Sequence, residues 1–294
     1  MTHEIDAVAL DSVKAVAGRK PAHTLPIGAP CPNCATPLAG PWCHVCGQSS
    51  EDFHRSLIKL TKEALGGLYD VDSRLWRTVP DLCLRPARLT RAFLDGHRIT
   101  QVPPFRLFLV VVVLVFLAAG SGGHVSPKFV TPSGETLTPQ TRVSVDESHS
   151  ALAKWMISRA VAVSKNPERF GDAMFTWAQR LVFLALPLSA LLLGAMFFWR
   201  EGVYLFDHLI FSMHSLSFQG MLLSIALLAM NLSDAFGVLF LIAPVHLFAH
   251  LKGTYGLGVF GTLLRMTVLF VVSFVAFVFA STALVLIGLF EVAP

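Results

Sequence analysis

The chain has 294 residues, of which 54% are apolar and 14% charged, with a formal net charge of +4. Its mean hydropathy of +0.62 excludes an ordinary soluble globular protein of this length. The net charge is small, so where Lys and Arg stand along the chain says more than their total.

Met1–Pro30 has no clear period and no apolar run of the kind a secretory signal carries, and reads as a disordered tail. Residues 31–48 follow, with Cys31 and Cys34, eight intervening residues, then Cys43 and Cys46. Each C-x-x-C pair forms a knuckle that aims two thiolates at one ion, and two knuckles close a tetrahedral site. With no open position for water, the zinc (one per chain) is structural. Gly47 follows the second pair, where a knuckle uses a permissive backbone, and Ala35 holds the equivalent place less comfortably. The unit is too small for a hydrophobic core, so metal supplies its folding energy. Disulfides or a redox pair are the competing readings. His44 is a conceivable substitute ligand, and Cys83 reads as a small buried apolar residue.

Residues 49–102 read as basic amphipathic juxtamembrane helices. Leu57, Leu60, Ala64, Leu65 and Leu68 form one stripe, Leu75, Val79, Leu82 and Leu84 a second, and Leu89, Phe93 and Leu94 a third. Short basic helices ahead of a span suit an anionic headgroup surface. A soluble helical domain with a solvated basic face is the alternative.

Residues 103–294 read as the transmembrane domain, with spans over about 103–120, 180–199, 204–230, 235–251 and 263–290. Pro187 is expected to kink the second. An outer loop, 121–179, is extended to about Ser150 and carries a surface helix over Ala151–Ser164. The fold class is therefore an all-α polytopic membrane protein of about five transmembrane helices with a small N-terminal four-cysteine zinc ribbon.

Ten Lys and Arg, from Arg55 to Arg106, precede or open the first span, while the turn 231–237 and the C-terminal tail have none. This places the N-terminus and ribbon in the cytoplasm and the C-terminus outside, periplasmic or extracellular. The reducing cytosol in turn favours thiolates holding zinc.

Asp207, His208 and His214 lie on the third span, and His246 and His250 on the fourth. The antiparallel turn brings the four imidazoles to similar depths in the cytoplasmic half. His246 and His250 share a helix face, whereas His208 and His214 stand about 120° apart and need not converge. Ionisable groups inside spans are functional-site hypotheses, here a second metal site, a haem held between helices or a proton relay. The plainer reading is that some are interfacial and the others hydrogen-bond to neighbouring helices, with Ser212, Ser215, Ser217, Gln219 and Asn231 as partners.

The pattern as a whole resembles a family of bacterial integral-membrane proteins known as domain of unknown function 3667. The resemblance is carried by the ribbon, by Leu75–Val79 (LWRTV), Arg85–Leu89 (RPARL), Phe93–Arg98 (FLDGHR), Pro103–Phe108 (PPFRLF) and His208–Phe218 (HLIFSMHSLSF). It implies an inner-membrane protein with a short cytoplasmic ribbon, and no activity.

No nucleophile triad, P-loop or H-E-x-x-H is present, which points away from an enzyme. The leading functional reading is a membrane-anchored interaction or assembly factor whose ribbon binds a protein partner. The alternative is a transporter, channel or metal- or haem-binding protein using the histidines. Nucleic acid is a poor partner, because residues 31–48 contain no Lys or Arg to meet phosphates. The oligomeric state is not legible in the sequence.

Overall fold

The structure is a computed structural model, and it describes residues 25–50, 74–121, 151–230 and 233–292. Most of the expected tail and the stripe Leu57–Leu68 lie outside these residues. Among the described residues every regular element is helical, and there is no strand. Two short helices, α1 (Leu75–Leu84) and α2 (Pro86–Leu94), precede α3 (Pro104–Ser121). Then come α4 (Ala151–Lys165), α5 (Pro167–Met196) and α6 (Leu205–Met230). A 3₁₀ segment, Asp234–Leu241, runs into α7 (Ile242–Tyr255), and α8 (Val259–Glu291) ends the fold.

Five helices are long and apolar enough to cross a membrane: α3, α5, α6, the Ala235–Tyr255 segment and α8. The run Val110–Val113 in α3 has a strand-forming composition, yet it is helical. In a bilayer each peptide group must find its partner within the segment, and that requirement overrides propensity. The helix that carries the second span starts at Pro167, ahead of Arg180, because Pro167 at the first helical position and Glu168 in the first turn begin it well before the apolar run. It continues through Pro187. The fourth extends to Tyr255, past Leu251, and ends where Gly256 turns left-handed at φ +61°.

The spans pack around α6. Its most apolar window is 44% buried, against none of that of α8, so α6 is the core helix and α8 the most exposed. Small residues set the approaches. A Cβ on Gly220 would lie 2.7 Å from Val111 Cγ1 on α3, and one on Gly288 of α8 would lie 2.7 Å from the Phe170 ring on α5. The hydroxyls of Ser217 and Ser224 turn back to the carbonyls of Met213 and Gly220, four residues earlier, and so enter the core satisfied.

The inner faces of α1 and α2 meet protein. Thr78, Leu82, Leu89, Thr90, Phe93 and Leu94 are buried. Leu82 and Leu89 share a cluster with Val102, Leu107, Phe218 and Leu222. Phe93 and Leu94 share another with Phe108, Phe206, Ile210 and Met213. The hairpin is therefore built into the bundle and is more than a surface layer.

Candidate functional site

The cysteine unit folds from Leu25 to Ser50, wider than residues 31–48. Its two halves repeat at a spacing of twelve residues. Ala35 N–H donates to Cys31 O as Gly47 N–H does to Cys43 O, both at 2.8 Å. Cys31 N–H donates to Thr36 O (2.9 Å) and Cys43 N–H to Gln48 O (2.8 Å). Leu38 N–H to Ala29 O and Ser50 N–H to Pro41 O complete the match. Isolated bridges Pro30–Pro37 and Trp42–Ser49 close the halves. Gly47 has φ +74° without strain, while Ala35 is forced to φ +60°, a conformation costing an L-residue about 1 kcal/mol.

The four thiols lie within 4.8 Å of one another and are not paired as disulfides. Cys31 Sγ is 3.6 Å from Cys46 Sγ, and Cys34 Sγ is 3.5 Å from Cys43 Sγ. The tetrahedron around an ion with metal–sulfur bonds of about 2.3 Å has edges of about 3.8 Å, so the four thiols are close enough together to hold one ion. His44 is exposed and outside the group. The hydroxyl and backbone of Thr36 draw the Cys34 thiol down to about 6, and burial pushes Cys46 up to about 11. Cys34 is thus the most readily ionised of that pair. Cys83 is partly buried beside Leu82, away from the cluster.

Among the described residues the unit meets the end of α2. Gln48, 5% exposed, donates from Nε2 to Gly96 O at 2.7 Å, and its Oε1 accepts from Arg98 N–H at 3.4 Å. Gly96 closes α2 at φ +100°, and a Cβ there would lie 2.8 Å from Pro32 Cβ. Both the backbone conformation and the contact demand glycine.

Three of the four histidines lie near one another, with the His246 and His250 rings 5.9 Å apart, but their ligand atoms do not meet at one point. Among the described residues, the four cysteines are the one group of three or more His, Cys, Asp or Glu whose ligand atoms come together. His214 Nδ1 and His250 Nε2 both bond Thr90 Oγ1, at 2.9 and 2.8 Å. A hydroxyl has one proton and two lone pairs, so Thr90 can donate to one ring, accept from the other and relay a proton between them. His250 stacks on Phe211 with centroids 4.1 Å apart. His246 lies on Phe218 at 3.4 Å and donates from Nε2 to Leu82 O at 2.8 Å. That carbonyl lies in the last turn of α1, which breaks at Arg85 (φ −140°, ψ 51°), and the next residue, Pro86, has no N–H to offer it. His208 Nδ1 is 2.8 Å from Tyr255 Oη, and Tyr255 stacks on Phe197 at 4.3 Å. Arg200 donates to Tyr255 O, and Arg265 lies 4.7 Å over the Phe197 ring. Asp207 caps the start of α6, accepting from Tyr204 N–H at 2.9 Å. Ser212 Oγ, His250 Nδ1 and Thr254 Oγ1 are buried with no partner among the described residues.

Sequence reasoning missed Thr90, Tyr255, Gln48 and Gly96. Thr90 had one signal: Pro86, Leu89, Thr90, Phe93 and Leu94 form a single helical stripe, which places Thr90 on a packed face.

Residues 72–116 match the family described as "Protein of unknown function (DUF3667)", the family the sequence resembles. The match takes in α1, α2 and most of α3, and with them the LWRTV, RPARL, FLDGHR and PPFRLF stretches; the ribbon and His208–Phe218 lie outside it. No curated protein and no solved structure matches the chain.

Proposed function

We propose that the chain is a multi-pass protein of the bacterial inner membrane that acts as a membrane-anchored interaction or assembly factor, presenting a structural zinc ribbon to the cytoplasm. The observation that carries this reading is the mounting of the ribbon. Gln48 and Pro32 fix it on Gly96, while Ile27, Trp42 and Val45 remain 79%, 61% and 64% exposed. A preorganised surface with an exposed aromatic loses little on docking a partner, which is how small ribbons bind proteins. The sulfur spacing supports zinc, and the arginine-rich approach to α3 supports a cytoplasmic N-terminus and an external C-terminus.

A photocrosslinker placed at Val45 in living cells tests the reading. A discrete adduct is expected, lost in Cys31→Ser while membrane insertion is unchanged. A ribbon that is zinc-loaded, correctly inserted and free of any adduct sinks it. Metal analysis is expected to give one zinc per chain, absent in Cys31→Ser.

A second reading, transport or a second metal or haem at the histidines, draws on the partnerless His250 Nδ1 and Thr254 Oγ1, since such atoms in a membrane core call for water or a ligand. A second metal per chain, or a haem absorption band, abolished by His246→Ala/His250→Ala supports it. A single zinc and no visible absorption remove the metal and haem versions.

A further inference from the structure

The outer face of the α1–α2 hairpin has no role in the ribbon or in the histidine contacts. It carries two large apolar side chains, Trp76 at 86% and Leu84 at 80% exposed, on α1. Arg77 and Arg85, next in sequence to Trp76 and Leu84, and Arg88 in the first turn of α2 are exposed, and none has a side-chain partner among the described residues. Arg77 and Leu84 are seven residues apart, within about 20° of one line along the helix.

The level of this face relative to the bilayer follows from α3. That helix has 18 residues, about 27 Å at 1.5 Å per residue, so all of it is needed to cross a hydrocarbon core of about 30 Å. Its first turn therefore marks the headgroup boundary. The start of α1 is tied to the chain just ahead of that turn. Arg74 donates to Ile99 O at 3.1 Å, and Val102 N–H donates to Thr78 Oγ1 at 3.0 Å. Leu82, Leu89, Val102 and Leu107 lie in one cluster. The start of the hairpin thus lies beside the first turn of α3, which puts its exposed Trp at the level where acyl chains give way to phosphates in a bilayer.

From this placement we infer that the outer face of the α1–α2 hairpin is a binding site for an anionic phospholipid, with Arg77, Arg85 and Arg88 on the headgroup phosphate and Trp76 and Leu84 against the acyl chains. Guanidinium groups suit phosphate oxygens better than ammonium groups do, because they donate in pairs. The inference is independent of what the ribbon binds.

The test uses the purified full-length chain in one detergent, titrated with phosphatidylglycerol or with phosphatidylcholine, and bound lipid is counted by native mass spectrometry. Wild type is expected to prefer phosphatidylglycerol on the order of tenfold. The preference should fall to near parity in R77Q/R85Q/R88Q and only in part in R77K/R85K/R88K, whose charge is unchanged but whose ammonium groups do not donate in pairs. Inorganic phosphate should leave the phosphatidylglycerol adduct in place, because it offers nothing to Trp76 and Leu84. Equal binding of the two lipids by wild type overturns the inference, as does a preference that survives the glutamine variant. Displacement by inorganic phosphate overturns the lipid assignment. Melting of the glutamine variant in lipid-free detergent, expected to match wild type, separates a lost site from a lost fold.

Discussion

The ribbon and the histidine belt are both built from metal-ligating residue types, yet they use them in opposite ways. In the ribbon four side chains converge on one point, and the backbone is satisfied by two copies of one local hydrogen-bond pattern. Among the histidines of the spans no three ligand atoms meet, although the His246 and His250 rings are 5.9 Å apart. Thr90 joins His214 to His250, Tyr255 takes His208, and the carbonyl that Pro86 leaves without a donor takes His246. Residue type is therefore a poor guide to a metal site. A ligand set converges when short-range spacing fixes it, whereas an imidazole between helices bonds whichever polar group the neighbouring helix leaves open.

This contrast can be broken from either side. The largest effect is expected in the ribbon. On the proposed reading, Cys34→Ser removes a ligand from a metal-dependent unit, and metal binding in such small units is worth about 10 kcal/mol or more. Metal content should fall to background and residues 25–50 should become protease-sensitive, while the melting of the membrane domain is little changed. Loss of the whole fold would contradict the separation of the two regions.

Next is Thr90→Val, which keeps the shape of the side chain and strips two buried imidazoles of their shared partner. A loss of about 2–4 kcal/mol is expected in the thermal or denaturant melting of the membrane domain, with metal content unchanged and with recovery in Thr90→Ser. A neutral Thr90→Val would mean that water replaces the hydroxyl.

His246→Leu should cost about 1–3 kcal/mol by orphaning the carbonyl of Leu82. His246→Gln, which keeps a side-chain donor at this position, should recover much of that loss, and a glutamine no better than leucine would refute the pairing.

The smallest change should be a gain. Ala35→Gly relieves the left-handed backbone of the first knuckle and should stabilise the four-cysteine unit by up to about 1 kcal/mol, read as slower loss of any bound metal to a chelator. No change would show that strain at Ala35 is taken up elsewhere.

The sequence by itself determined the helical class, the five spans and the four-cysteine unit. Each of these depends on short-range pattern: an apolar run long enough to cross a bilayer, or thiols spaced so that two tight turns aim them at one ion. The inequality of Ala35 and Gly47 was legible for the same reason, since the repeat puts them in equivalent turns. The start of α5 at Pro167 was less so, because a helix can begin in polar sequence before its apolar run. Tertiary structure alone decided that Thr90 sits between His214 and His250, 124 and 160 residues away, and that Gln48 reaches Gly96. Nothing in a local pattern encodes such contacts. They arise because every polar group carried into the core must find a partner there, and which partner it finds depends on how α2 lies across α6 and α7.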